Sequence, residues 1–143
     1  MKMETASEPA IQSFRDLLVW QKSIYLATII YKLTRDFPRE EIYGLTSQMR
    51  RASVSIASNI AEGHGRLSTG EFQQFLGKSR ASCFELQTQL EIARSLELST
   101  AKSINEAESL SLEVGKMING LLKSLKQKSS PLAVSRRPLT SNP

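Results

Sequence analysis

Apolar residues recur at steps of three and four along most of this chain, and proline, glycine and capping residues separate the runs. That is the pattern of amphipathic helices. The first run is Leu17, Trp20, Ile24, Ala27 and Tyr31, with a second stripe beside it of Leu26, Ile30, Leu33 and Phe37. A helix is expected to begin at Asp16, which suits an N-cap or a first-turn acid. It is expected to stop at Pro38, because the residue before a proline is pushed out of the helical region. Two apolar stripes on one helix call for more than one packing partner.

The stretch from Gly44 to Leu67, GLTSQMRRASVSIASNIAEGHGRL, predicts the central helix. At about 100° per residue, Leu45, Met49, Ala52, Ile56 and Ile60 share one face. Arg50, Val54, Ala57 and Ala61 fall on the opposite face, and Arg51, Ser55, Ser58, Glu62 and Arg66 form a polar strip between them. A surface helix normally carries one apolar stripe, so this one is expected to have neighbours on both sides. The small side chains from Ala52 to Ala61 would let those neighbours approach closely, and Gly63 and Gly65 mark the end.

Ser68 followed by Glu71 fits a capping box for a third helix. Its seam is the most regular in the chain: Phe72, Leu76, Ser79, Cys83, Leu86, Leu90 and Ala93, running to about Leu96. Ser99 or Thr100 caps a fourth, with Ile104, Ala107, Ser111, Val114, Ile118, Leu121 and Leu125 as its stripe. Residues 1–13 read as a flexible lead-in and residues 127–143, rich in serine and proline, as a disordered basic tail. Residues 14–126 are expected to form one all-α domain, an up-down-up-down antiparallel four-helix bundle. The surplus apolar faces of the first two helices predict that it assembles into a homo-oligomer.

Charge changes this picture modestly. The formal net charge of +5 and pI of about 9.6 favour acidic partners. Lys128, Arg136 and Arg137 supply three of the basic groups, which leaves 16 basic against 14 acidic in residues 1–126. Residues 42–80 hold Arg50, Arg51, Arg66, Lys78 and Arg80 against Glu62 and Glu71, a local excess of +3. The single cysteine, Cys83, has no internal disulfide partner and sits at an apolar helical position. No apolar run reaches membrane-spanning length and the N-terminus lacks a signal-peptide core, so a soluble cytoplasmic protein with no membrane partner is expected.

Over Phe14 to about Ser124 the sequence resembles a known family. The residues that carry the resemblance are Asp16-Leu17 with Val19-Trp20-Gln21, Phe37-Pro38, Tyr43-Gly44-Leu45, and Gln48 with Arg50-Arg51. To these are added Ser55-Ile56, the run from Ser58 to Gly63, and Glu85-Leu86 with Gln89-Leu90. They are similar to the bacterial four-helix bundle proteins encoded in intervening sequences of 23S ribosomal RNA genes, and to the accessory variability protein of diversity-generating retroelements. The resemblance implies a homopentamer with a basic surface that, in the retroelement relatives, binds nucleic acid and a reverse transcriptase. Ala57 stands where relatives often have proline, which implies a straighter central helix, and Ala81 replaces a frequent glycine after Arg80.

Candidate site residues divide by face. Arg51, Arg66 and Lys78, with Arg136 and Arg137 of the tail, are candidates for nucleic-acid phosphate contacts, electrostatic and weakly sequence-specific. Structural ion pairing is the competing reading for Arg51. Arg50, with Val54, Ala57 and Ala61, is expected at an oligomer interface, where its charge would need a carboxylate. Asn59, Glu62 and Arg80 are expected to form a polar network between the second and third helices, with Glu62 and Arg80 as its pair. His64 lies between two glycines, where it could touch RNA. No catalytic constellation, no metal-ligand spacing and no phosphate-binding glycine loop appears, so neither an enzyme nor a cofactor is expected. The alternative to nucleic-acid binding is a protein-interaction adaptor, for example for a reverse transcriptase.

Overall fold

Ser13 caps the first turn of the described chain. Its hydroxyl accepts from Arg15 N at 3.1 Å, while the Asp16 carboxylate reaches back to Gln12 N at 2.9 Å and Ser13 N at 3.2 Å. That reciprocal cap holds Phe14–Asp16 as a single 3-10 turn. Asp16 therefore caps the turn in front of the first helix and does not start it. The chain then runs extended at Leu17 (φ −76°, ψ 125°) before turning into the helix. The computed structural model describes residues 10–129 as four helices: α1 (Leu18–Arg35), α2 (Leu45–His64), α3 (Thr69–Ser95) and α4 (Ala101–Ser129). No strand occurs among the described residues.

Each boundary has a chemical cause. Pro38 follows α1 and leads into a second 3-10 turn, Arg39–Glu41, whose Glu41 carboxylate accepts Leu45 N at 3.1 Å and so caps α2. Ser68 caps α3 by accepting Glu71 N at 3.1 Å; the return bond from the Glu71 side chain, expected for a full capping box, is not made. Glu97, in the left-handed region at φ 55°, ends α3, and Leu98 N reaches back to Ala93 O at 3.0 Å. Of the two candidate caps for α4, Thr100 takes the role by accepting Ser103 N at 3.1 Å. α4 continues past the expected boundary at 126, since no glycine or proline intervenes between Gly120 and Pro131. The rest of the expected tail, 130–143, and lead-in residues 1–9 lie outside the described residues.

The core forms where the stripes meet. Leu26 and Ile30 of α1, Met49, Ile56 and Ile60 of α2, Leu76, Leu86 and Leu90 of α3, and Ile104 and Ile118 of α4 are fully buried. The seam expected along α3 is buried from Leu76 to Ala93. On α1 it is the second stripe, Leu26, Ile30, Leu33 and Phe37, that enters the core. Ile24 and Tyr31 of the first stripe remain 41% and 42% exposed. α2 also departs from expectation. Its buried residues run from Ala52 through Ile56 and Ile60 to Ala57, one broad arc that serves both α1 and α3. Ala57 thus belongs to the core side, Arg50 and Ala61 are half-buried at its edge, and Val54 is exposed.

The most extensive helix contact joins α2 to α3. Ser79 donates to Ile56 O at 2.8 Å, Ser55 and Ser82 share a hydroxyl bond at 2.9 Å, and Gly63 lies against Phe72 and Phe75. Residue numbers fall along α2 as they rise along α3 in these pairs. α3 is tied to α4 at the surface, where Arg94 donates to Glu108 at 2.6 Å and also to Asn105. Lys22 of α1 pairs with Glu113 of α4 at 3.0 Å, which closes the circuit of helices.

Two outcomes follow from this packing. A Cβ built on Gly63 would sit 2.6 Å from Phe75 Cβ, whereas one on Gly77, midway along α3, meets nothing within 4 Å. Gly63→Ala is therefore expected to cost about 1–3 kcal/mol in urea unfolding, by forcing the helices apart. Gly77→Ala should gain up to about 1 kcal/mol through helix propensity; equal effects at the two positions would refute the close approach. Burial pushes the Cys83 thiol up to about 12. At about pH 8 Cys83 should stay unmodified by a thiol reagent in the folded protein and react once it is unfolded in denaturant.

Candidate anion-binding site

The break between α1 and α2 gathers arginines. Arg35 is the last residue of α1, Arg39 opens the turn that Pro38 starts, and Arg50 and Arg51 lie in the second turn of α2. All four line one cleft of about 670 Å³, together with Thr34, Thr46 and Ser47 and an apolar wall of Tyr31, Phe37, Ile42 and Val54. Among the described residues no carboxylate lines it. Glu41, one of the two acids in the turn, is engaged by the α2 backbone.

Arg50 is held in place. Its Nε donates to Thr34 Oγ1 at 2.9 Å, and that hydroxyl donates in turn to Ile30 O at 2.8 Å. Nη2 reaches Tyr31 O at 3.4 Å, and the guanidinium carbon sits 4.6 Å from the centre of the Tyr31 ring. The carboxylate partner expected for Arg50 is thus replaced by a hydroxyl, a carbonyl and a π face, all from α1. Among the described residues, none of the four arginines is paired with an acid. Thr46 adds an anomaly. It is buried, and its Oγ1 bonds to nothing among the described residues. An unpaired buried hydroxyl costs about 1–3 kcal/mol.

A second basic cluster lies beyond the other end of α2, about 20 Å away at 1.5 Å per helical residue. There Arg66 and Lys78 both approach the Phe75 ring, at 4.6 and 4.5 Å from its centre. Arg66 also meets Glu62 at 3.3 Å, an exposed pair one helical turn apart that contributes little. His64 packs edge-on against Phe72 at 5.6 Å, so it is not presented as a free loop histidine.

The expected network of Asn59, Glu62 and Arg80 does not form. Glu62 is taken by Arg66, Asn59 donates to Ser55 O at 2.9 Å and Ser55 Oγ at 3.0 Å, and Arg80 lies exposed over Phe84 at 5.3 Å. The reason is volume: the α2–α3 seam is filled by serines and glycine whose helices approach too closely to admit an arginine and a glutamate. Of the residues expected at an oligomer interface, Arg50 is spent on α1 and Ala57 on the chain's own core. Val54 remains exposed and joins Ile24, Ala27 and Tyr31 in a shallow apolar groove of about 410 Å³ between α1 and α2. Arg136 and Arg137 lie outside the described residues.

Sequence reasoning missed Arg35, Arg39 and Thr46. The signal was present in the two arginines that bracket the Phe37-Pro38 stop, but it is informative only once α2 is known to fold back beside them. Cys83 is sealed in the core, remote in environment from His64. No cluster of three metal-capable side chains occurs among the described residues, and no helix there is long and apolar enough to cross a membrane.

Comparison with known proteins agrees with this architecture. A solved protein of unknown function from the S23 ribosomal protein family of Bacteroides thetaiotaomicron shares the fold with a TM-score of 0.68. It is 24% identical, over 74% of this chain and 99% of its own. No curated protein sequence matches the chain. The family model described as 23S rRNA-intervening sequence protein matches residues 15–120, from the turn before α1 almost to the end of α4, and the chain belongs to that family.

Proposed function

We propose that this chain is a non-catalytic nucleic-acid-binding protein that works as a homo-oligomer in the bacterial cytoplasm. The protomer is read as an up-down-up-down antiparallel bundle. The falling and rising residue numbers of the α2–α3 contacts, and the short connections between helices, support that topology. The observation that carries the functional reading is a clustering of cations, of which the four arginines of the cleft have no acid partner among the described residues. Four arginines face one cleft at the start of α2, and Arg66 and Lys78 crowd one aromatic ring beyond its end. Holding like charges together in this way costs energy that phosphate groups would return. Arg51, Arg66 and Lys78 are the proposed phosphate contacts.

Assembly is proposed to use the outer groove of α1 and α2, where Ile24, Ala27, Tyr31 and Val54 present apolar surface. The resemblance to pentameric relatives favours five copies, which would carry +25 and multiply a weak protomer field. The same exposed groove is what favours the adaptor reading, in which a protein such as a reverse transcriptase docks there instead.

Light scattering and a salt titration of RNA and DNA binding, on one sample, separate these readings. The proposal expects a mass of several protomers and an affinity that falls steeply with salt. Arg66→Ala with Lys78→Ala should lower the slope of log affinity against log salt by about 2, roughly one per phosphate contact removed. A monomer would remove the oligomer, and binding to a protein partner without salt-sensitive nucleic-acid binding would replace the proposal with the adaptor.

A further inference from the structure

The geometry points to the α1–α2 cleft as a pocket for a phosphomonoester, the terminal phosphate of a nucleotide or of a nucleic-acid 5′ end. Its volume, about 670 Å³, lies in the range of small-molecule sites. Four guanidinium groups line it with no carboxylate among them. A backbone phosphodiester brings a single negative charge, whereas a terminal monoester brings about −1.5 to −2 and three acceptor oxygens. The second suits a cleft lined by several arginine forks.

Two features prepare the pocket. Arg50 uses only two of its five N–H groups on Thr34 and Tyr31, so the guanidinium is fixed with donors to spare. Thr46 contributes a buried hydroxyl with no bonding partner among the described residues, in a cleft whose charged lining groups are all guanidinium donors. A phosphate oxygen is the acceptor that this hydroxyl, the remaining N–H groups of Arg50 and the guanidinium groups of Arg35, Arg39 and Arg51 lack among the described residues. The exposed Tyr31 in the wall offers apolar surface for the sugar or base behind the phosphate.

This inference rests on the nucleic-acid reading only for the source of the phosphate. The test uses the full chain with AMP against adenosine, and a short RNA bearing a 5′-monophosphate against the same RNA with a 5′-hydroxyl. AMP is expected to bind where adenosine does not, and the 5′-phosphate to tighten RNA binding about tenfold. Arg35→Gln with Arg39→Gln, both exposed side chains, should abolish that ratio with helix content unchanged by circular dichroism. Thr46→Val should weaken binding of AMP and of the 5′-phosphorylated RNA and leave the 5′-hydroxyl RNA unchanged. If AMP binds and neither RNA does, the pocket stands as a free-nucleotide site and the nucleic-acid reading fails. If both RNAs bind equally with steep salt dependence and AMP does not bind, the nucleic-acid reading stands and the pocket is overturned. If the arginine substitutions change the oligomer mass and no phosphate probe binds, the cleft receives a carboxylate from a second copy, which also overturns it.

Discussion

The close approach of α2 and α3 is the constraint on which the remaining arrangement depends. Ser55, Ser79, Ser82 and Gly63 supply little side-chain volume, so the helices are held by hydroxyl bonds of 2.8 and 2.9 Å and by Gly63 against two phenylalanines. A seam of this kind has no room for long side chains. Arg80, Glu62 and Arg51 are expelled to the outer surface, where solvation is cheap and pairing is weak. The buried arc of α2 is broad enough to pack on α1 as well. Arg50 is thereby set against Thr34 and Tyr31, and Arg51 beside the turn that carries Arg39. The cleft is in this sense a consequence of small residues on a different face of the helix.

Periodicity revealed the elements because burial on a helix repeats with its geometry. The α3 seam from Leu76 to Ala93 and the α4 stripe from Ile104 to Ile118 are buried as their spacing implies. What periodicity cannot provide is the width of a buried arc. Ala57 lies about 100° from Ile56, and whether it faces a neighbour or solvent depends on where α1 is placed. Within the protomer α2 does have neighbours on two sides, α1 and α3, but Ala57 joins the buried arc and only Val54 of the second face is left exposed. On α1 the choice between two apolar stripes was open in the sequence, and packing settled it in favour of Leu26 and Ile30.

The candidate site was less legible than the fold. Pairing Glu62 with Arg80 assumed that opposite charges on adjacent helices will meet, but Glu62 finds Arg66 one turn away and Arg80 finds an aromatic ring on its own helix. Local partners win because they need no seam to open for them. The arginines that do converge come from three elements, α1, the turn and α2, and their proximity is a property of the fold. Only Arg50 and Arg51, adjacent in sequence, were visible beforehand as a pair.

Why Arg50 is half-buried without a carboxylate can be argued from its partners. Desolvating a guanidinium is costly, and an ion pair offsets that cost only when its geometry is good. Here the charge is shared among a hydroxyl that is itself anchored to Ile30 O, a backbone carbonyl and the Tyr31 ring, none of which cancels it. The cation is positioned but not neutralised. Its field therefore adds to those of the exposed Arg35, Arg39 and Arg51 around one cleft, which raises the attraction for an incoming anion. A carboxylate at Thr34 would stabilise Arg50 more and leave the cleft with less to bind; a hydroxyl there keeps the side chain ordered and the charge available.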